Sequence, residues 1–126
     1  MQRVTGIGGV FFKSKDPKNL SAWYEKHLGL KGQDNVIFFP WRDAKTNVPG
    51  TTLLSFFPQD TEYFEPGPSS LMMNYRVENL DALLEILRAE GVHIHEKRDN
   101  SEYGQFAWIT DPDGNKIELW QPPAGT

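Results

Sequence analysis

D-P-D-G-N-K-I-E-L-W, running from Asp111 to Trp120, reads as a tight turn followed by a strand. Pro112 presets φ at the second turn position, Asp113 can bond its own backbone, and Gly114 supplies a positive φ without steric cost. The residues that follow alternate. Ile117 and Leu119 fall on one face and Lys116, Glu118 and Trp120 on the other, which is the period of a half-buried strand. Glu118 therefore shares its face with an indole and an ammonium, and a carboxylate in that company is either paired or functional.

Composition narrows what such a strand can belong to. The 126 residues suit one domain, spanning 1–126, with a single real core. A formal charge of -4 with no block of Lys or Arg argues against nucleic acid or an anionic membrane as partner. The absence of Cys removes disulfides, thiolate nucleophiles and cysteine metal sites. No apolar run resembles a signal segment or a membrane span, so a soluble, cytoplasmic protein is expected. Aromatic residues make up 13% of the chain, more than a small core needs, which leaves some to line a pocket.

Outward from the Asp111 turn, the chain divides into two similar halves. In the first, Val4 to Ser14 alternates as a strand interrupted by Gly6, Gly8 and Gly9. A phosphate-binding G-x-G-x-x-G is excluded because position 11 is Phe; the glycines fit a strand that another backbone or a ligand approaches closely. Asp16 and Pro17 form an N-cap and first turn, Leu20, Trp23, Tyr24 and Leu28 follow at helical spacing, and Gly29 ends the helix. Leu30 to Pro40 and Thr51 to Phe57 read as strands, and Gln59 to Ser70, with Pro66, Gly67 and Pro68, as a connector.

The second half repeats this order. Leu71 to Val77 is a strand, and Asn79 caps a helix with Leu80, Leu83, Leu84 and Leu87 on one stripe. Gly91 ends it, and strands follow at Val92 to Glu96, Gln105 to Thr110 and Lys116 to Trp120. A shift of 63 (79 minus 16) carries Asp16 onto Asn79 and Leu20 onto Leu83, and a shift of 64 (114 minus 50) carries Gly50 onto Gly114. Two tandem βαβββ modules, about 4–58 and 71–121 with a connector at about 59–70, describe an α+β fold. Its curved mixed sheet has one face covered by helices and leaves the other as a shared cleft.

The first strand, Asp16 with L-x-x-W-Y-x-x-x-L-G, and the terminal D-P-D-G-N-K-I-E-L together resemble the glyoxalase / bleomycin resistance / extradiol dioxygenase superfamily, the vicinal oxygen chelate proteins. The resemblance covers nearly the whole chain. It implies one of several outcomes: a metal-dependent lyase, epimerase, dioxygenase or thiol transferase, or a protein that binds and sequesters a drug. It also implies a homodimer, which exposed outer strands would favour.

In metal-dependent relatives the ligands are His or Glu on inward faces of four strands, donors suited to a divalent first-row ion. Carried over by spacing, those positions are Gly9, Met72, Leu54 and Glu118. Glu118 alone has a donor side chain, so no metal and no other cofactor is expected. His93 and His95 share a strand face, but Val92 and Ile94 should turn inward and the histidines outward. His27 suits the C-terminal dipole of the first helix.

Parity with those four positions furnishes the cleft. Phe11, Phe56, Met72 and Trp120 would make apolar walls, and Lys13, Asn74, Arg76 and Lys116 would supply donors to a flat organic ligand with an anionic or carbonyl group. It stays open whether Arg76 and Lys116 simply neutralise Glu118 while the aromatics fill the sheet interior. Two functions compete: metal-independent binding of a small molecule in an aromatic cleft, and a glyoxalase-type lyase or isomerase with Glu118 as catalytic general base.

Overall fold

The computed structural model describes residues 3–126. The turn at Asp111 forms as expected but is held by a different carboxylate. Asp111 Oδ1 accepts from the backbone N–H of Asp113 and of Asn115, each at 2.9 Å, and Gly114 sits at φ 84°. The hairpin it closes pairs β6 (Gly104–Thr110) with β7 (Lys116–Gln121) and puts Trp108 directly opposite Glu118.

The remaining strands are β1 (Gly6–Ser14), β2 (Val36–Arg42), β3 (Pro49–Pro58), β4 (Leu71–Arg76) and β5 (His93–Ser101). They form one mixed sheet in the order β2-β3-β1-β4-β7-β6-β5. Each half has a parallel pair, β1 with β3 and β4 with β7, and the halves join through the antiparallel β1–β4 pair. The architecture is the expected α+β arrangement, with one departure. Only two strands follow the helix in the first half, because Asp34 and Asn35 both adopt positive φ (53° and 65°) and make a tight turn between Gln33 and Val36. Leu30 to Asn35 is thereby lost to the sheet. Conversely, β5 runs on past Glu96, where the strand was expected to end, through Lys97, Arg98 and Asp99 to Ser101, and Arg98 reaches Asp81 at 3.0 Å.

Both helices lie on one face. The helix α1 (Pro17–Leu28) starts where Asp16 Oδ1 accepts from Asn19 N and stops at Gly29 with φ 69°. It packs on β1 and β3, with the Tyr24 ring 5.1 Å from that of Phe56, yet none of its residues is buried. The helix α2 (Leu80–Ala89), capped by Asn79, buries Leu80, Leu83 and Leu84 against Val77, Ala107 and Leu119. Partly buried Tyr75, Ile94, Ile109 and Ile117 complete this core, which fixes the odd residues of β4 and β7 on the helix face. The even ones, Met72, Asn74, Arg76, Lys116, Glu118 and Trp120, point to the concave side.

A β-bulge interrupts β1. Ile7 pairs with Tyr75 and Gly9 with Asn74, so Gly8 is the extra residue. A Cβ there would stand 2.1 Å from Asn74 Oδ1 and 2.9 Å from the Trp120 ring, and only glycine lets these side chains approach the strand.

Candidate functional site

Glu118 is 2% exposed and is held by three neutral donors. The Tyr63 hydroxyl and the Trp108 indole N–H, the latter at 3.1 Å, donate to Oε1, and Asn74 Nδ2 donates to Oε2 at 2.5 Å. Trp108 and Asn74 are its cross-strand neighbours on β6 and β4, so the sheet register supplies two of the three. The third comes from the connector. Tyr63 stacks on Phe57 with a centroid separation of 5.4 Å, and Phe64 beside it is buried with Phe11, Met72 and Trp108. Burial pushes the Glu118 carboxyl above the ordinary value, against the pull of Tyr63, Asn74 and Trp108. Burial and the adjacent carboxylate raise the Tyr63 phenol as well.

Beside this filled half the concave face stays open. A cavity of about 520 Å³ is lined by Phe11, Phe38, Leu53, Phe106 and Trp120, with Thr51, Asn74, Glu102, Tyr103, Pro123 and Thr126 completing the wall. Phe106 and Trp120 stack within 8° of parallel, and the Trp120 indole N–H is engaged by Tyr103 O at 2.8 Å. Of the polar residues along the cavity, Asn74 is the buried one, at 2% exposed. Its amide N–H is committed to Glu118, and its Oδ1 is buried without a hydrogen-bond partner among the described residues. An unpaired buried carbonyl costs about 1–3 kcal/mol.

Arg76 closes one end. Its guanidinium lies between the Trp41 and Trp120 rings, 5.1 and 5.2 Å from their centroids, and donates to Thr51 O at 3.1 Å and to Thr126 O. Desolvation lowers its pKa from a value high enough to leave it protonated.

Of the residues assigned to the cleft from sequence, Phe11, Asn74 and Trp120 line it. Phe56 does not. The β1–β3 register pairs Phe11 with Ser55 and Phe12 with Phe56, which turns Thr51, Leu53, Ser55 and Phe57 to the concave side and Thr52, Leu54 and Phe56 toward α1. Met72, Lys13 and Lys116 are on the concave side but belong to the filled half. Met72 packs under Phe64, the Lys13 ammonium sits 5.5 Å from the Phe64 centroid, and Lys116 Nζ donates to Tyr63 O at 2.7 Å. Ile94 packs into the α2 core, so His93 and His95 fall on the concave side of the sheet rather than outward as expected, and His95 Nε2 meets Thr110 Oγ1 at 2.8 Å.

The sequence reading missed Tyr63, Phe64, Phe38, Leu53 and Phe106. Trp108 was within reach of it, because a hairpin centred on Asp113 places residue 108 opposite residue 118.

The family model for the glyoxalase/bleomycin resistance protein/dioxygenase superfamily matches residues 6–119. The chain belongs to this superfamily. Among curated proteins none matches. Among solved structures, methylmalonyl-CoA epimerase from Mycobacterium tuberculosis superposes with a TM-score of 0.63 at 22% identity, over 98% of this chain and 91% of that one. A Streptomyces coelicolor methylmalonyl-CoA epimerase in complex with 2-nitronate-propionyl-CoA gives 0.69 at 14%, over 96% and 99%. A superfamily member from Vibrio splendidus 12B01 gives 0.57 at 13%, over 89% and 95%. At these identities the likeness is one of fold.

The superfamily's divalent metal has a poor fit to the residues here. Among the described residues no group of three His, Cys, Asp or Glu side chains converges. Of the four positions carried over from the superfamily, Gly9 has no side chain, Met72 is packed in an apolar cluster and Leu54 points to the helix face. Glu118 is surrounded by donors, the opposite of what a cation's second ligand would be.

Proposed function

We propose that this superfamily member binds a small, flat organic ligand in the concave cleft, without the divalent metal of its metal-dependent relatives. The observation that carries the reading is the coexistence of two things on one face. The Glu118 half is plugged by Tyr63 and Phe64, and an apolar cavity of about 520 Å³ lies open beside it. A pocket mostly apolar with few placed polar groups is the usual form of a small-molecule site.

Metal analysis of the purified protein tests the metal half of this reading. A sub-stoichiometric content and a melting temperature unmoved by a chelator are expected; one tightly bound divalent ion per chain would refute it. Titration with aromatic ligands, followed through the tryptophan fluorescence, tests the other half, and a silent cleft across a broad panel would refute that.

A second reading is a lyase or isomerase in which Glu118 is the general base. Its raised pKa favours it, and the epimerases of similar fold are isomerases by name. Against it, Glu118 is not on the cleft wall and both of its oxygens are occupied. Turnover of a glyoxalase or acyl-CoA epimerase substrate that Glu118→Gln abolishes would decide for this reading.

A further inference from the structure

The cations that the sequence would offer to a ligand are engaged elsewhere. Lys13 lies over Phe64, Lys116 is bonded to Tyr63 O, and Arg76 is bonded to Thr51 O and Thr126 O. Among the described residues no Lys, Arg or His lines the cavity. Asn74 borders it but offers nothing, because its amide N–H goes to Glu118 and its carbonyl is buried. The charged side chain in the lining is Glu102, exposed on the turn between β5 and β6, where water screens it. Two rings of the wall are also left in water. Phe38 on β2 is 54% exposed and Tyr103 on the β5–β6 turn 69%. They come from opposite ends of the sheet, yet they border one cavity, whose less exposed wall is Phe11, Leu53, Phe106 and Trp120.

We infer, resting on the binding reading proposed above, that the cleft takes an uncharged polycyclic ligand, recognised by shape and apolar area, with Phe38 and Tyr103 as the two rim rings that it covers. An ion entering this space would shed its water and meet no counter-charge, which costs far more than burying a neutral polar group. A carboxylate has no cation to pair with. An ammonium drawn to Glu102 stays at the solvated rim, where an ion pair contributes little. A neutral fused ring loses nothing on entry, and it removes from water its own faces together with part of Phe38 and Tyr103.

Titration of the whole chain at neutral pH with three probes sharing one ring system tests it: naphthylmethanol, naphthoate and naphthylmethylamine. The Trp120 indole N–H resonance reports whether binding is in the cleft. The alcohol is expected to bind roughly tenfold tighter than either ion, the two ions having a charge to desolvate. Phe38→Ala and Tyr103→Ala should each weaken the alcohol by about tenfold, the loss expected when one ring's share of buried apolar area is removed. Both rings are exposed, and the bond from the Trp120 indole to the Tyr103 backbone is kept, so the fold and the reporter survive in both variants. An ion that binds as tightly as the alcohol, or variants that bind the alcohol as tightly as the native chain, overturns the inference and leaves the cleft as a ligand site. Failure of all three probes to bind or to move Trp120 overturns both.

Discussion

Glu118 is costly to bury, and the three donors around it offset that cost only in part, since its carboxyl is still raised when folded. The unfolded reference is 4.5. Below it both states hold the proton. Between it and the higher folded value the folded state alone does, so the contribution of Glu118 to stability is full below 4.5 and is lost as pH rises through the folded value. Urea midpoints of the native chain should therefore fall as pH is raised from about 4.5 toward neutrality, and Glu118→Gln should flatten that segment. A native profile rising over the same range would contradict this assignment. At the same scale, Gly8→Ala forces a methyl into Asn74 Oδ1 and the Trp120 ring. A loss of about 1–3 kcal/mol is expected in urea unfolding, with the indole N–H resonance of Trp120 displaced.

At the scale of elements, the two helices have the same kind of N-cap but unequal hold on the sheet. α2 buries three leucines and α1 buries nothing. Leu83→Ala should cost about 2–5 kcal/mol by chemical denaturation, and Leu20→Ala under about 1 kcal/mol, with amide exchange in α1 faster than in α2. Phe64→Ala, which empties the contact with Phe11, Met72 and Trp108, belongs with the costly class at about 3–5 kcal/mol.

Elements whose signals are local were legible from sequence: Asp16, Asn79, Gly29 and Gly114 act where their chemistry places them. The parity of β7 and β4 was legible too, because one face of each is apolar. β3 was not. Thr51 to Phe57 has apolar residues on both faces, so alternation carries no information and Phe56 was put in the cleft. The connector was opaque for another reason. Tyr63 and Phe64 fold back across the sheet to Glu118, a contact separated by 55 residues, and a turn-rich segment has no period to announce it. With the connector unread, Glu118 looked like a lone carboxylate in an open cleft.

On the scale of the molecule, Arg76 joins what the chain order separates. From β4 it reaches Thr51 on β3, Trp41 on β2, Trp120 on β7 and the carbonyl of Thr126. Arg76→Met keeps much of the side-chain stem but gives up both charge-assisted bonds. It should lower stability by about 1.5–3 kcal/mol in urea titration and quicken amide exchange at residues 124–126.

The sheet is open, with β2 at one end and β5 at the other. The two ends are defended differently. β5 carries Lys97, Arg98 and Asp99 along an exposed edge, and another chain adding a strand there would have to strip water from those charges. β2 reads V-I-F-F-P-W-R, with Phe38 54% and Phe39 37% exposed, and its defence is Pro40, which withholds one N–H from any incoming strand. Crowded or partly unfolded, the chain has one sticky rim and one repellent rim, and its aggregates should grow from β2.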